Sequence, residues 1–216
     1  MQSCSAPDRR IRRGIVSIAC AGGIAMTVMV ALSQPAHARR VTPPSVPADL
    51  QVEAGNRAFL KGHAVGTQNY VCLPSGSGFA WSLFTPQATL FDDHGKQIIT
   101  HFFSPNPNPS DNGAVRATWE HSRDTSTVWA ALVGQPSTDP NFVAPGAIPW
   151  LLLKVVGAQD GAFWGDELSP ATFVQRVNTH GGSAPATGCT QAAHVGTKAF
   201  VPYTADYFFY RDTDDR

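Results

Sequence analysis

Ala80-Trp81-Ser82-Leu83-Phe84-Thr85-Pro86-Gln87-Ala88-Thr89-Leu90-Phe91, then Asp92-Asp93-His94-Gly95, then Lys96-Gln97-Ile98-Ile99-Thr100-His101-Phe102-Phe103, is the stretch that decides the fold. Before Pro86 it alternates, with Trp81, Leu83 and Thr85 on one face. Successive side chains of a strand point to opposite sides, so this pattern reads as a strand with two unlike faces. The acidic and glycine residues at 92–95 end one strand and start the next, which predicts an antiparallel hairpin.

The same reading extends outward in both directions. Apolar and β-branched stretches recur at 62–72, 80–91, 96–103, 114–121, 127–133, 150–156, 172–178 and 199–210, with turn residues between them. In 172–178, Val174 and Arg176 fall on one parity and Phe173 and Val177 on the other, although the alternation is imperfect. No long segment carries helical periodicity, and 17 Pro and 19 Gly leave little room for long helices. The expected fold is mainly β: an antiparallel sandwich or closed barrel with long loops. Residues 104–113 and 134–149 read as those loops. The Pro/Asn tract at 104–110 is expected to be extended and exposed.

The N-terminus has the three parts of a secretory signal. Arg9, Arg10, Arg12 and Arg13 are basic, residues 14–32 are apolar, and Ala36-His37-Ala38 is a small-x-small cleavage pattern. A cut after Ala38 is expected, with export to the periplasm or beyond. Arg12-Arg13-Gly14-Ile15-Val16 also fits a loose twin-arginine signal, so both export routes stay open. Cys20 lacks the aliphatic residue three positions before it that a lipoprotein signal needs. Residues 39–47 are Pro-rich and read as a flexible lead-in, 48–211 as a single β domain, and 212–216 as a tail. No second apolar run is long enough to cross a membrane as a helix. The run at 150–156 is short and contains Lys154.

The chain is formally neutral, and its signal segment holds four Arg against one Asp, so the mature remainder is mildly acidic. That balance gives no electrostatic reason to expect nucleic acid as a partner. Removing the signal leaves Cys72 and Cys189. A lone pair in an oxidising compartment favours a disulfide, and two cysteines allow one connectivity. There is no Cys-x-x-Cys to suggest redox chemistry.

Catalytic signatures are missing. Gly76-Ser77-Gly78 is not a nucleophile elbow, and there is no phosphate loop, His-Glu-x-x-His or dinucleotide fingerprint. His63, His94, His101, His121, His180 and His194 show no ligand-spaced pair, so no metal or cofactor is expected. Asp166-Glu167 reads as a solvated turn, because neighbouring carboxylates point apart rather than across a substrate. Five Trp are many for a small domain. Most belong in a core, and one or two near loops would suit a pocket for an apolar or sugar ligand.

Longer motifs carry a resemblance. These include Gly62-His63-Ala64-Val65-Gly66 leading to Tyr70 and Cys72, Thr100-His101-Phe102, Thr118-Trp119-Glu120, Ile148-Pro149-Trp150, Gln175-Arg176-Val177-Asn178-Thr179 and Val201-Pro202-Tyr203-Thr204-Ala205-Asp206-Tyr207. With them the chain from Val46 to Arg211 resembles DUF3455, a domain family of unknown function found in exported bacterial and secreted fungal proteins. Some fungal members carry a malate dehydrogenase label. The absent dinucleotide fingerprint and α/β pattern argue against that activity here. The family runs from its His almost directly into a Gly-Pro-Thr-Trp, whereas here the Pro/Asn tract separates His101 from Trp119. A site beside those residues is therefore expected to be reshaped. The family's Asp-Gly-Ser turn stands here as Asp124-Thr125-Ser126.

The leading expectation is a non-catalytic binder of a small apolar or carbohydrate ligand, with His63, His101, Trp119, Trp150 and Arg176 as candidate contacts. An enzyme of unknown reaction centred on His101 and Arg176, and a surface-interaction protein, are the alternatives. Convergence of His101, His63 and Arg176 in one pocket would favour the enzyme. An aromatic-lined cavity without titratable groups would favour binding.

Overall fold

The computed structural model describes residues 41–214, so residues 1–38, read above as a secretory signal, lie outside the described residues. Eight strands succeed one another as β1 (Asn56–Ser75), β2 (Gly78–Phe91), β3 (Gln97–Pro105), β4 (Val115–His121), β5 (Thr127–Ser137), β6 (Trp150–Gln159), β7 (Phe173–Gly181) and β8 (Lys198–Asp212). Each pairs antiparallel with the next, and β8 returns to β1, giving a closed barrel in sequence order. Closure removes the exposed sheet edges that an open meander would leave. The only helices among the described residues are single 3-10 turns, Ala48–Leu50, Pro109–Asp111 and Ala192–His194.

Strand parity sorts the side chains into two cores. Ala64, Leu90, Ile99, Trp119, Val174 and Phe209 belong to the cluster inside the barrel. β1 and β2 approach closely there, because a Cβ on Gly66 would collide with Gln87 O and with Ala88. The opposite parity of β6, β7 and β8 builds a second, outer cluster with Trp150, Leu152, Phe173, Phe208 and Tyr210. Leu50 covers this face, with Val41 and Val46 packed against it. The Pro-rich stretch read as a flexible lead-in is thus held on the barrel wall by its valines.

The Pro/Asn tract also differs from expectation. Pro105, Pro107, Pro109 and Ser110 are exposed as expected, but the tract is anchored: Asn106 is buried and donates from Nδ2 to Val156 O at 3.3 Å, and Asn108 Nδ2 donates to the same oxygen at 2.9 Å. A Cβ at Gly157 would meet the Asn106 side chain, so the glycine makes room for the tract. Arg116 clamps its 3-10 turn through Nε and Nη2 to Asp111, at 2.8 and 2.6 Å. Two side-chain amides satisfy one strand carbonyl here, Val156 O, and the Pro-rich chain becomes a fixed strap.

Cys72 and Cys189 form a disulfide with Cα atoms 5.4 Å apart and a sequence separation of 117. It ties the β1–β2 hairpin to the β7–β8 connection. Trp81 Nε1 reinforces the tie by donating to Thr187 O at 3.0 Å.

Candidate functional site

Eight strands leave an interior just wide enough to be filled by side chains or to hold one small ligand. Here it is part filled. Leu90, Ile99 and Phe209 pack the barrel near the β2–β3 turn. Beyond them lies a cavity of about 300 Å³, to which every strand contributes. Gln68 and Tyr70 come from β1, Pro86 from β2, His101 and Phe103 from β3. Ala117 and Trp119 come from β4, Leu132 and Pro136 from β5, Leu151 and Leu153 from β6. Arg176 comes from β7 and Tyr207 from β8, while Ile148 and Pro149 of the β5–β6 connection complete the wall. Leu83 and Leu132 line the cavity while remaining 39% and 47% exposed, so they mark its rim.

The aromatic part of the wall is built by strand register. His101 and Trp119 are direct partners on β3 and β4. Their rings stack with centroids 4.3 Å apart and an interplanar angle of 5°. Tyr207 tilts against His101 at 5.2 Å and meets Trp119 edge-on at 5.6 Å. His101 Nδ1 donates to Thr118 O at 2.8 Å, which leaves Nε2 as the unprotonated nitrogen of the neutral ring. Burial pushes its pKa down to about 3; the Thr118 carbonyl opposes the shift and the Arg176 charge adds to it. Burial also raises the Tyr70 phenol, against the pull of Arg176.

Arg176 is the single charged residue on the cavity wall, and only 8% of it is exposed. Its Nε and Nη2 donate to Pro149 O at 3.2 and 2.8 Å. Among the described residues it meets no carboxylate, and no Asp or Glu lines the cavity. Two further wall residues carry buried nitrogen donors without a partner, Gln68 Nε2 and Trp119 Nε1. The Gln68 side chain also lies beside the Tyr203 hydroxyl.

A family model described as protein of unknown function (DUF3455) matches residues 53–211. The chain belongs to this family. No curated protein and no solved structure matches it.

Three of the candidate residues read from the DUF3455 motifs meet in the cavity: His101, Trp119 and Arg176. Two do not. Trp150 has the outward parity of β6 and packs edge-on against Phe142 at 5.7 Å in the outer cluster. His63 also lies away from the cavity, between two carboxylates, with Nδ1 at 2.6 Å from Asp206 Oδ1 and Nε2 at 2.9 Å from Asp93 Oδ1. Gln175 and Asn178, on the parities of Phe173 and of Arg176, do not line it either. Gln175 Nε2 donates to Leu50 O at 2.7 Å, and Asn178 Nδ2 donates to Asp206 Oδ2 at 2.9 Å.

The insertion that separates this chain from the usual DUF3455 spacing leaves the His101–Trp119 pair in place. The tract straps onto β6 through Val156 O, and the two strands re-enter register at Pro105↔Val115. Gln68 was missed by motif reading, and Tyr70, although part of a motif, was not read as a site residue. The signal for Gln68 is its parity: it continues the small-residue face of Gly62, Ala64 and Gly66 into the barrel.

Proposed function

We propose that this DUF3455 protein is an exported binding protein that holds one small, mostly apolar ligand inside its barrel. The observation that carries the reading is the cavity itself: apolar and aromatic side chains from seven of the eight strands, with Arg176 of β7 and a few other polar groups among them. That composition is the usual make-up of a small-molecule site. The signal-type N-terminus and the disulfide support export.

Binding is better supported than catalysis. Among the described residues no Ser, Cys, Asp or Glu lines the cavity, which leaves His101 without a nucleophile or a carboxylate to work with there. A ring held near pKa 3 is too weak a base to take a proton at neutral pH. An apolar ligand is also better supported than a sugar, which needs more donors and acceptors than this wall presents.

The test uses N-phenyl-1-naphthylamine, a neutral apolar fluorophore, with the mature protein and with Ala117→Phe, which fills the cavity from β4. Saturable fluorescence enhancement in the natural protein and its loss in a folded Ala117→Phe are expected. Equal enhancement in both would place binding outside the barrel and overturn the reading.

A further inference from the structure

The charge inside the barrel identifies the ligand class more closely. Arg176 carries a guanidinium, which is a cation, and a buried cation is costly unless an anion faces it. Its hydrogen bonds to Pro149 O fix the guanidinium but do not neutralise it. Nη1 has no hydrogen bond among the described residues. His101 adds no second positive charge, since burial keeps its ring neutral. The wall thus presents one net positive charge, with the unpaired donors Gln68 Nε2 and Trp119 Nε1 on the same set of side chains.

Resting on the binding reading above, we propose that the ligand is a monocarboxylate: its head group pairs with the Arg176 guanidinium, and its hydrocarbon or aromatic body occupies the rest of the cavity. A carboxylate matches a guanidinium in both charge and planar geometry. A phosphate dianion would leave one negative charge buried without compensation. A neutral apolar molecule would leave Arg176 as uncompensated with ligand as without.

Isothermal titration calorimetry at pH 7 with the mature protein separates these cases. The probes are straight-chain carboxylates from butanoate to decanoate and the matching primary alcohols. At the best chain length the acid is expected to bind at least tenfold more tightly than its alcohol. Arg176→Met should abolish that preference by weakening the acid alone, and Arg176→Lys should retain part of it. Equal affinity for acid and alcohol in the natural protein would overturn the charge assignment and leave the binding reading standing. An acid preference that survives Arg176→Met would remove Arg176 from the site. Failure of both series to bind would overturn the inference and the reading together. The acid-to-alcohol ratio of the natural protein decides the charge question even if a variant does not fold.

Discussion

Arg176 holds Pro149 O through two guanidinium nitrogens, at 3.2 and 2.8 Å, and so pins the β5–β6 connection against β7 without finding a counter-ion. A side chain kept for stability alone would be a poor choice there, because an apolar residue of similar volume avoids the desolvation cost of a buried charge. Arg176→Met in the ligand-free protein is expected to be no more than about 1 kcal/mol less stable than the natural chain, with the lost hydrogen bonds offset by the absent charge. Urea denaturation measures this. A loss of several kcal/mol would assign Arg176 a structural role.

His101 sets an acid limit on the fold. Its folded pKa of about 3 lies below the unfolded value of 6.5, so the unfolded chain binds the proton first as pH falls. Its stabilising contribution is complete above pH 6.5 and is lost progressively down to about pH 3, at up to roughly 1.4 kcal/mol per pH unit. His101→Gln removes the titration and should flatten the dependence of unfolding free energy on pH between 7 and 4. Asp124 acts in a lower window. Burial opposes its ionisation, but hydrogen bonds from Glu167 N, Ser126 N and Ser126 Oγ outweigh this, and with His121 they hold the carboxyl at about 2. Its contribution is present above 3.8 and lost as pH falls through about 2, and Asp124→Asn should leave the pH 7-to-4 slope untouched. Identical slopes for His101→Gln and the natural protein would contradict the buried neutral ring.

Thr125 adopts φ 61°, a left-handed conformation that a β-branched residue tolerates poorly. It occupies the position where the family's Asp-Gly-Ser turn has its glycine. Thr125→Gly is expected to stabilise by about 0.5–1 kcal/mol, the relieved strain exceeding the added freedom of the unfolded chain. Differential scanning calorimetry should show a higher Tm. A lower Tm would mean that the Thr125 Oγ1 contact to Ala162 N, at 3.3 Å, outweighs the strain.

Cys72→Ser is expected to lower stability by about 2–5 kcal/mol through the freed unfolded chain. The bridge lies outside the cavity wall, so affinity for a cavity ligand should hold at temperatures where the variant stays folded. An unchanged melting temperature under reducing and oxidising conditions would contradict this.

Much of the fold is legible because strand chemistry is local. The hairpin read at 80–103 is β2 and β3, and all eight stretches became strands, each ending within a few residues of its reading except at β1. β1 begins earlier, at Asn56, because its pairing partner is β8, and the register Asn56↔Asp212 joins residues far apart in sequence. No local pattern encodes that closure, which is why sandwich and barrel could not be separated from the sequence. The wall of the candidate site was legible where parity was unbroken. Arg176 shares its face with Val174, and that face is the barrel interior. Trp150 misleads because a large aromatic is equally at home in either core, and the covering segment at Val41, Val46 and Leu50 gives the outer face a core of its own. His63 misleads because a histidine hydrogen-bonded to two aspartates on an outer wall has the same residue chemistry as one in a site.

The most direct measurement of the central claim is native mass spectrometry of the mature protein purified from its own host, before and after denaturation. A single extra mass of small-molecule size, released on unfolding and absent from Ala117→Phe, is the expected result. A bare mass, two hydrogens below the fully reduced chain, in protein that also fails to take up any of the apolar probes, would contradict a ligand-binding barrel.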